Sequence, residues 1–150
     1  MKLHAKHLFG PTIALASALA LVGCGGTDVT KGRVEAALAP TFANLYVQQA
    51  VILGHPGVTI ASTAASATCD RGGPKVADKG PGADWICMIH FTDDAGHAQD
   101  GKFELQIKSN SCYSAAGPSK LIGLVTIADT RGRDVTNPVF EFDGCFNPAK

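Results

Sequence analysis

The hydrophobic rhythm of the chain changes twice. Residues 8–22 form one short apolar run with Phe9, Ile13, Leu15 and Leu19, behind a basic start that holds Lys2 and Lys6 and no acid. From residue 28 to residue 53 the apolar positions Val34, Leu38, Phe42, Leu45 and Ile52 recur near a period of 3.6. That period predicts one long amphipathic helix. Thr30 is placed to cap its start. Pro40 should kink it or split it in two, and Gly54-His55-Pro56-Gly57 should end it.

After Val58 the rhythm becomes alternation. Residues 58–63 alternate apolar and polar and predict a strand that runs on weakly towards Cys69. Residues 70–84 read as a loop, punctuated by Gly72, Gly73, Pro74, Gly80, Pro81 and Gly82. Residues 85–92 predict a strand with Trp85, Cys87, Ile89 and Phe91 on one face. Asp93-Asp94-Ala95-Gly96 is a turn. Residues 102–108 give the cleanest strand, with Phe103, Leu105 and Ile107 inward, and the two strands should form a hairpin. Residues 110–119 read as irregular, 121–128 as a buried strand, 129–134 as a polar turn and 139–142 as a short last strand. A helix followed only by strands predicts an α+β domain. In it one long N-terminal helix, kinked or straight, packs on an antiparallel sheet of about four to five strands.

The first apolar run has a different meaning. A basic stretch followed by an apolar stretch of this length is the pattern of a secretory signal. It is too short and too soon broken by Gly25-Gly26-Thr27-Asp28 to suit a membrane span. It ends in Leu21-Val22-Gly23-Cys24, which resembles the lipobox of bacterial lipoprotein signal peptides. The resemblance implies that the Cys24 thiol takes a diacylglyceryl group and that cleavage before Cys24 makes it the first residue of the mature chain. The expected organisation is a signal peptide over 1–23, a lipidated cysteine and flexible tether over 24–29, and a single domain over 30–150. Two or more acyl chains hold a protein stably on a membrane. The expected location is therefore the extracytoplasmic face of the cell membrane, with the membrane as partner through the lipid on Cys24.

Export changes the reading of the cysteines. Of five, Cys24 goes to lipid, leaving Cys69, Cys87, Cys112 and Cys145. An even number in an exported domain predicts two disulfides. A zinc site would normally show closely spaced pairs such as Cys-x-x-Cys, which do not occur here. Cys69 with Cys87 would staple strands across the loop, and Cys112 with Cys145 would tie the third strand's exit to the C-terminus. Four cysteines allow three connectivities, so this pairing is a preference. The mature layout, with the stretch Asn137-Pro138-Val139-Phe140-Glu141-Phe142-Asp143-Gly144-Cys145, resembles small cysteine-paired lipoprotein domains of high-GC Gram-positive bacteria. That resemblance implies no catalytic residues.

Charge removes some partners. The whole chain balances 13 basic against 13 acidic residues. Without Lys2 and Lys6 it is slightly acidic, and no basic patch stands out to hold a nucleic-acid backbone. Nor is there a polybasic stretch for a membrane surface.

Candidate chemistry is sparse. His90, Asp93, Asp94 and His97 gather around the hairpin turn and could bind a divalent metal, although Asp-Asp-x-Gly is also ordinary turn chemistry. Ser62, Ser66, Ser109, Ser111, Ser114 and Ser119 lie in no Gly-x-Ser-x-Gly or Ser-x-x-Lys motif. Arg71-Gly72-Gly73-Pro74-Lys75 lacks the phosphate-cradling Gly-x-x-x-x-Gly-Lys pattern. No cofactor is implied. The leading expectation is a non-enzymatic binding domain of the cell envelope. Its contact surface would be the 71–84 loop, with Arg71, Lys75, Lys79 and Trp85, facing a protein or small-molecule ligand. The alternative is a small secreted hydrolase or metal-binding protein that uses the His90–His97 turn.

Overall fold

A computed structural model describes residues 29–146. The expected signal segment, Cys24 and the expected tether up to Asp28 lie outside the described residues, as do residues 147–150. Val29, expected as the last tether residue, belongs to the domain: it is 5% exposed and joins the core.

The apolar period produces helix α1 (Lys31–Leu53), which runs unbroken through Pro40. The expected split does not occur. Pro40 removes one backbone donor, but both Pro40 and Ala36, whose carbonyl loses that donor, are exposed, so water can serve the carbonyl. The buried face of α1 continues on both sides, through Val34 and Leu38 before the proline and Phe42, Tyr46 and Gln49 after it. Packing therefore keeps the helix continuous where local propensity would split it. Thr30 sits at the cap position without a side-chain cap, and it pairs with Lys79 in an isolated antiparallel bridge instead. Gly54 ends the helix at φ 89°, a left-handed conformation that favours glycine.

The next element departs from the alternation. Residues 58–63 are not a strand: Ile60–Thr63 is a single helical turn, α2. Thr59 and Ser62 cap each other reciprocally, Ser62 N donating to Thr59 Oγ1 at 3.1 Å and Thr59 N to Ser62 Oγ at 2.9 Å. Local side-chain bonds win over an apolar-polar pattern too short to be held in a sheet.

Five strands then form one antiparallel sheet: β1 (Ser66–Arg71), β2 (Gly82–Thr92), β3 (Ala98–Ile107), β4 (Cys112–Ala116) and β7 (Glu141–Cys145), in that spatial order. The predicted hairpin is β2 and β3. Strand β4 falls where irregular chain was expected, with Tyr113 and Ala115 buried and their neighbours less so. The expected buried strand over 121–128 is instead a short helix, α3 (Ser119–Ile122), followed by β5 (Thr126–Ala128). β5 pairs only with β6 (Asp134–Thr136) in a separate ribbon, and Leu124 and Val125 are exposed.

Helix α1 covers one face of the five-stranded sheet, as the sequence predicts. Val34, Leu38 and Phe42 are fully buried against Ile89, Phe91, Phe103 and Leu105. Phe42 meets the Phe91 ring at 4.8 Å and the Phe103 ring at 5.5 Å. Each such side chain removed from water contributes about 1.5–3 kcal/mol. By length and hydropathy α1 is also the one candidate membrane-crossing helix among the described residues. Its apolar stripe is the stripe that packs on the sheet.

The disulfides join Cys69 to Cys87 and Cys112 to Cys145. Both link directly opposed residues, on β1 and β2 and on β4 and β7.

Candidate functional site

Two places on the fold gather polar chemistry, and they lie at opposite ends of α1. At its start is the β1–β2 loop, residues 72–81, shorter than expected because Arg71 ends β1 and Gly82, Ala83 and Asp84 open β2. Lys31 N donates to Asp78 O at 3.1 Å and Gly80 N to Val29 O at 2.9 Å, so the loop is docked beside the point where the domain begins. At its end is the β2–β3 turn: His55 contacts Asp94 through its Nδ1, and Asp94 N donates to Tyr46 Oη at 3.3 Å.

The loop is organised from within. Arg71 Nε donates to Asp84 Oδ1 at 2.9 Å and Arg71 Nη1 to Lys79 O at 2.5 Å. Asp78 Oδ1 accepts from Arg71 N, and Asp70 Oδ1 from Gly73 N. The hydrogen bond from Arg71 holds the Asp84 carboxyl below its ordinary value. Gly72 and Gly73 take consecutive left-handed conformations at φ 68° and 79°, which let the chain turn away from β1.

The residues expected at this surface divide. Lys75 and Lys79 are exposed, and neither ammonium has a carboxylate partner among the described residues. Arg71 is internal to the loop rather than presented to a partner. Trp85 corrects the expectation outright. It is 0% exposed, its ring is in the core and its Nε1 donates to Gly80 O at 3.1 Å. As the first inward residue of the β2 face it braces the loop from beneath, and no partner can touch it.

The turn residues are not brought together. His90 Nδ1 lies 2.6 Å from Asp100 Oδ1 on the outer sheet face. Asp94 is taken by His55, and His97 lies 3.7 Å from Asp93. Asp93 acts as turn scaffolding, accepting from His97 N at 2.8 Å, Ala95 N at 3.0 Å and Gln99 Nε2 at 2.7 Å. Those bonds, the His97 amide first, hold its carboxyl below the ordinary range. Among the described residues no three His, Cys, Asp or Glu side chains converge as a metal site.

Beside the turn is an open cleft of about 410 Å³ lined by His55, Val58, Ser62, Thr92, Asp93 and Asp94. Serine, histidine and aspartate thus share one cleft, but not as a nucleophile and its base. The Ser62 hydroxyl donates to Thr59 O at 2.9 Å and accepts from Thr59 N, which commits it to capping α2. A Ser nucleophile needs its hydroxyl on the histidine.

The sequence reading passed over a buried polar junction. Gln49 Nε2 donates to Asn137 Oδ1 at 2.9 Å and to Ile122 O at 2.6 Å. Asn137 Nδ2 donates to Ile122 O and Leu124 O. Gln49 falls in phase with Phe42 and Tyr46, and a glutamine on an apolar stripe was the available signal. Every group in the junction is satisfied, so it fixes the 117–140 segment onto α1 and offers nothing to a ligand.

No family model, curated protein or solved structure matches the chain.

Proposed function

We propose that the chain is a lipid-anchored, extracytoplasmic binding domain of the cell envelope, held by an acylated Cys24, with the 71–84 loop as its contact surface. The observation that carries this is the use of the cysteines. Four of the five close two disulfides, which belong to an oxidising compartment outside the cytoplasm. The fifth, Cys24, stands at the end of an apolar run in the setting Leu21-Val22-Gly23-Cys24. A non-enzymatic role is supported by the commitments already described: Ser62 caps a helix, Asp93 builds a turn and Asp94 pairs with His55. The loop is favoured as the contact surface because Lys75, Val76 and Lys79 are presented outward on a scaffold braced by Arg71 and Trp85. The partner class is an envelope component; a nucleic acid is not among the candidates.

The test is acyl labelling of the full chain in a bacterial host. Wild type should carry acyl label and fractionate with membranes, and Cys24→Ala should lose both. If wild type and Cys24→Ala give the same unlabelled soluble product, the anchoring reading is wrong.

A further inference from the structure

We propose that the partner of the 72–81 loop is the membrane surface itself: Lys75 and Lys79 engage the phosphates of anionic lipid headgroups, and Val76 faces the interface between them. This deepens the anchoring reading and rests on it.

The first ground is chain length. An acylated Cys24 sits at headgroup level, and only five residue steps separate it from Val29. Whatever path they take, at most about 3.6 Å per residue bounds their reach to roughly 18 Å. Val29 is fixed in the core and accepts a hydrogen bond from Gly80 in the loop. Thr30 pairs with Lys79 in the next step. The anchor therefore keeps this loop, with the adjoining start of α1, within that reach of the bilayer. The 23 residues of α1 span roughly 34 Å at 1.5 Å per residue. The β2–β3 turn, held by His55 and Asp94 at the far end, is that much further away.

The second ground is charge. Five cationic side chains stand at this end: Lys31, Arg33, Arg71, Lys75 and Lys79. The four acids facing them are each occupied within the fold. Glu35 accepts from Cys69 N, Asp70 from Gly73 N, Asp78 from Arg71 N, and Asp84 from the Arg71 side chain. Lys75 and Lys79 are left with exposed, unpaired ammonium groups, and between them Val76 is 41% exposed. Two cations flanking an exposed aliphatic side chain suit an anionic headgroup layer. The sequence alone hid this surface: the four carboxylates keep their charge, and only the geometry shows that none of them is ion-paired to Lys75 or Lys79.

The experiment uses the full acylated chain in vesicles. With Cys24 blocked by lipid and four cysteines in disulfides, an introduced cysteine is the one reactive thiol. A fluorophore is placed at Val76→Cys in one protein and at Ala95→Cys, in the far turn, in another. Vesicles contain phosphatidylglycerol or phosphatidylcholine alone, with a headgroup-level lipid quencher. The expected result is strong quenching at position 76 and little at 95, with more at 76 on phosphatidylglycerol. Lys75→Gln and Lys79→Gln should each lower the docked-to-undocked ratio about fivefold, the equivalent of one cation at an anionic surface, with the thermal midpoint unchanged. Equal quenching at 76 and 95 overturns the membrane-facing loop, as does a position-76 label open to an aqueous quencher on bound vesicles. The latter result would favour a protein partner. The mass of the mature chain separates the two readings: if no acyl group is present, the anchoring reading falls and the membrane-facing loop falls with it.

Discussion

The Gln49 side-chain amide donates to the side-chain carbonyl of Asn137, 88 residues away, in the buried interior. Around this pair Asn137 also collects the carbonyls of Ile122 and Leu124 and the amide of Val139. The chain from 117 to 140 has little regular structure, and this junction takes the place of a ladder. Removing Asn137 would strand several buried groups at once. Each stranded group costs about 1–3 kcal/mol. Asn137→Ala should therefore lose about 3 kcal/mol or more in chemical denaturation. A loss under about 1 kcal/mol would mean that the junction does not hold the segment.

The two leucines on the helix stripe should behave differently. Leu38 is fully buried, whereas Leu45 is only partly buried at the margin of the core. Leu38→Ala should cost about 2–5 kcal/mol, the range for deleting a buried leucine side chain. Leu45→Ala should cost clearly less. Periodicity alone would rank them as equals, so matching losses would contradict the burial pattern. Lys75→Ala, exposed and unpaired, should stay within about 0.5 kcal/mol of wild type.

Long-range packing was readable wherever the period was long enough. The α1 stripe and the alternation in β2 and β3 each persist over several residues, and the strands they define favoured, among three possible connectivities, the disulfide pairing that is observed. Trp85 illustrates a misreading rather than a missing signal. It is in phase with Cys87, Ile89 and Phe91, so the period places it inward, and its position beside a loop does not expose it. Short segments failed for a different reason. At 58–63 a Thr59–Ser62 capping box outweighs six residues of alternation. At 121–128 β-branched composition suggested burial, but a three-residue pairing in a separate ribbon leaves Leu124 and Val125 outside. The Gln49–Asn137 contact spans too many residues for any local pattern to announce it. Of the site residues, Lys75 and Lys79 were legible as exposed loop cations. Their freedom from the nearby acids depends on backbone amides that no sequence reveals.

Acid should weaken the fold through the turn aspartates. The Asp93, Asp129 and Asp84 carboxyls are all held below the ordinary value of 3.8. The first cause is the His97 amide for Asp93, the Arg133 amide for Asp129 and the Arg71 side chain for Asp84. A depressed folded value means that the native state favours the charged form. The stability these groups contribute is fully present above 3.8 and is lost as pH falls through the lower folded values. Denaturation midpoints should thus drop between about pH 5 and about pH 2, and Asp93→Asn should make that drop shallower. An unchanged slope in Asp93→Asn would show that its turn bonds do not discriminate between charged and neutral carboxyl.

The disulfides occupy the two places where the sheet is least held by its own ladder. β1 and β7 are its edge strands, and each is stapled to its one neighbour. An edge strand has backbone partners on one side only and is the first part of a sheet to open or to pair wrongly. The closed loops span 18 and 33 residues. Loop-closure entropy assigns them about 3 and nearer 4 kcal/mol respectively. The larger one holds more than a strand, because Phe146 follows Cys145 and stacks on Tyr113 with ring centres 5.6 Å apart. Replacing Cys112 and Cys145 together with alanine should therefore cost about 3–4 kcal/mol. It should lower hydrogen-exchange protection in β7 well before β2 and β3 are affected. Thiol labelling of the unfolded, unreduced wild type should modify none of Cys69, Cys87, Cys112 and Cys145. Labelling of two or more of them would remove the staples from this account. A uniform loss of protection across the whole sheet in the double variant would show that β7 opens only with the rest.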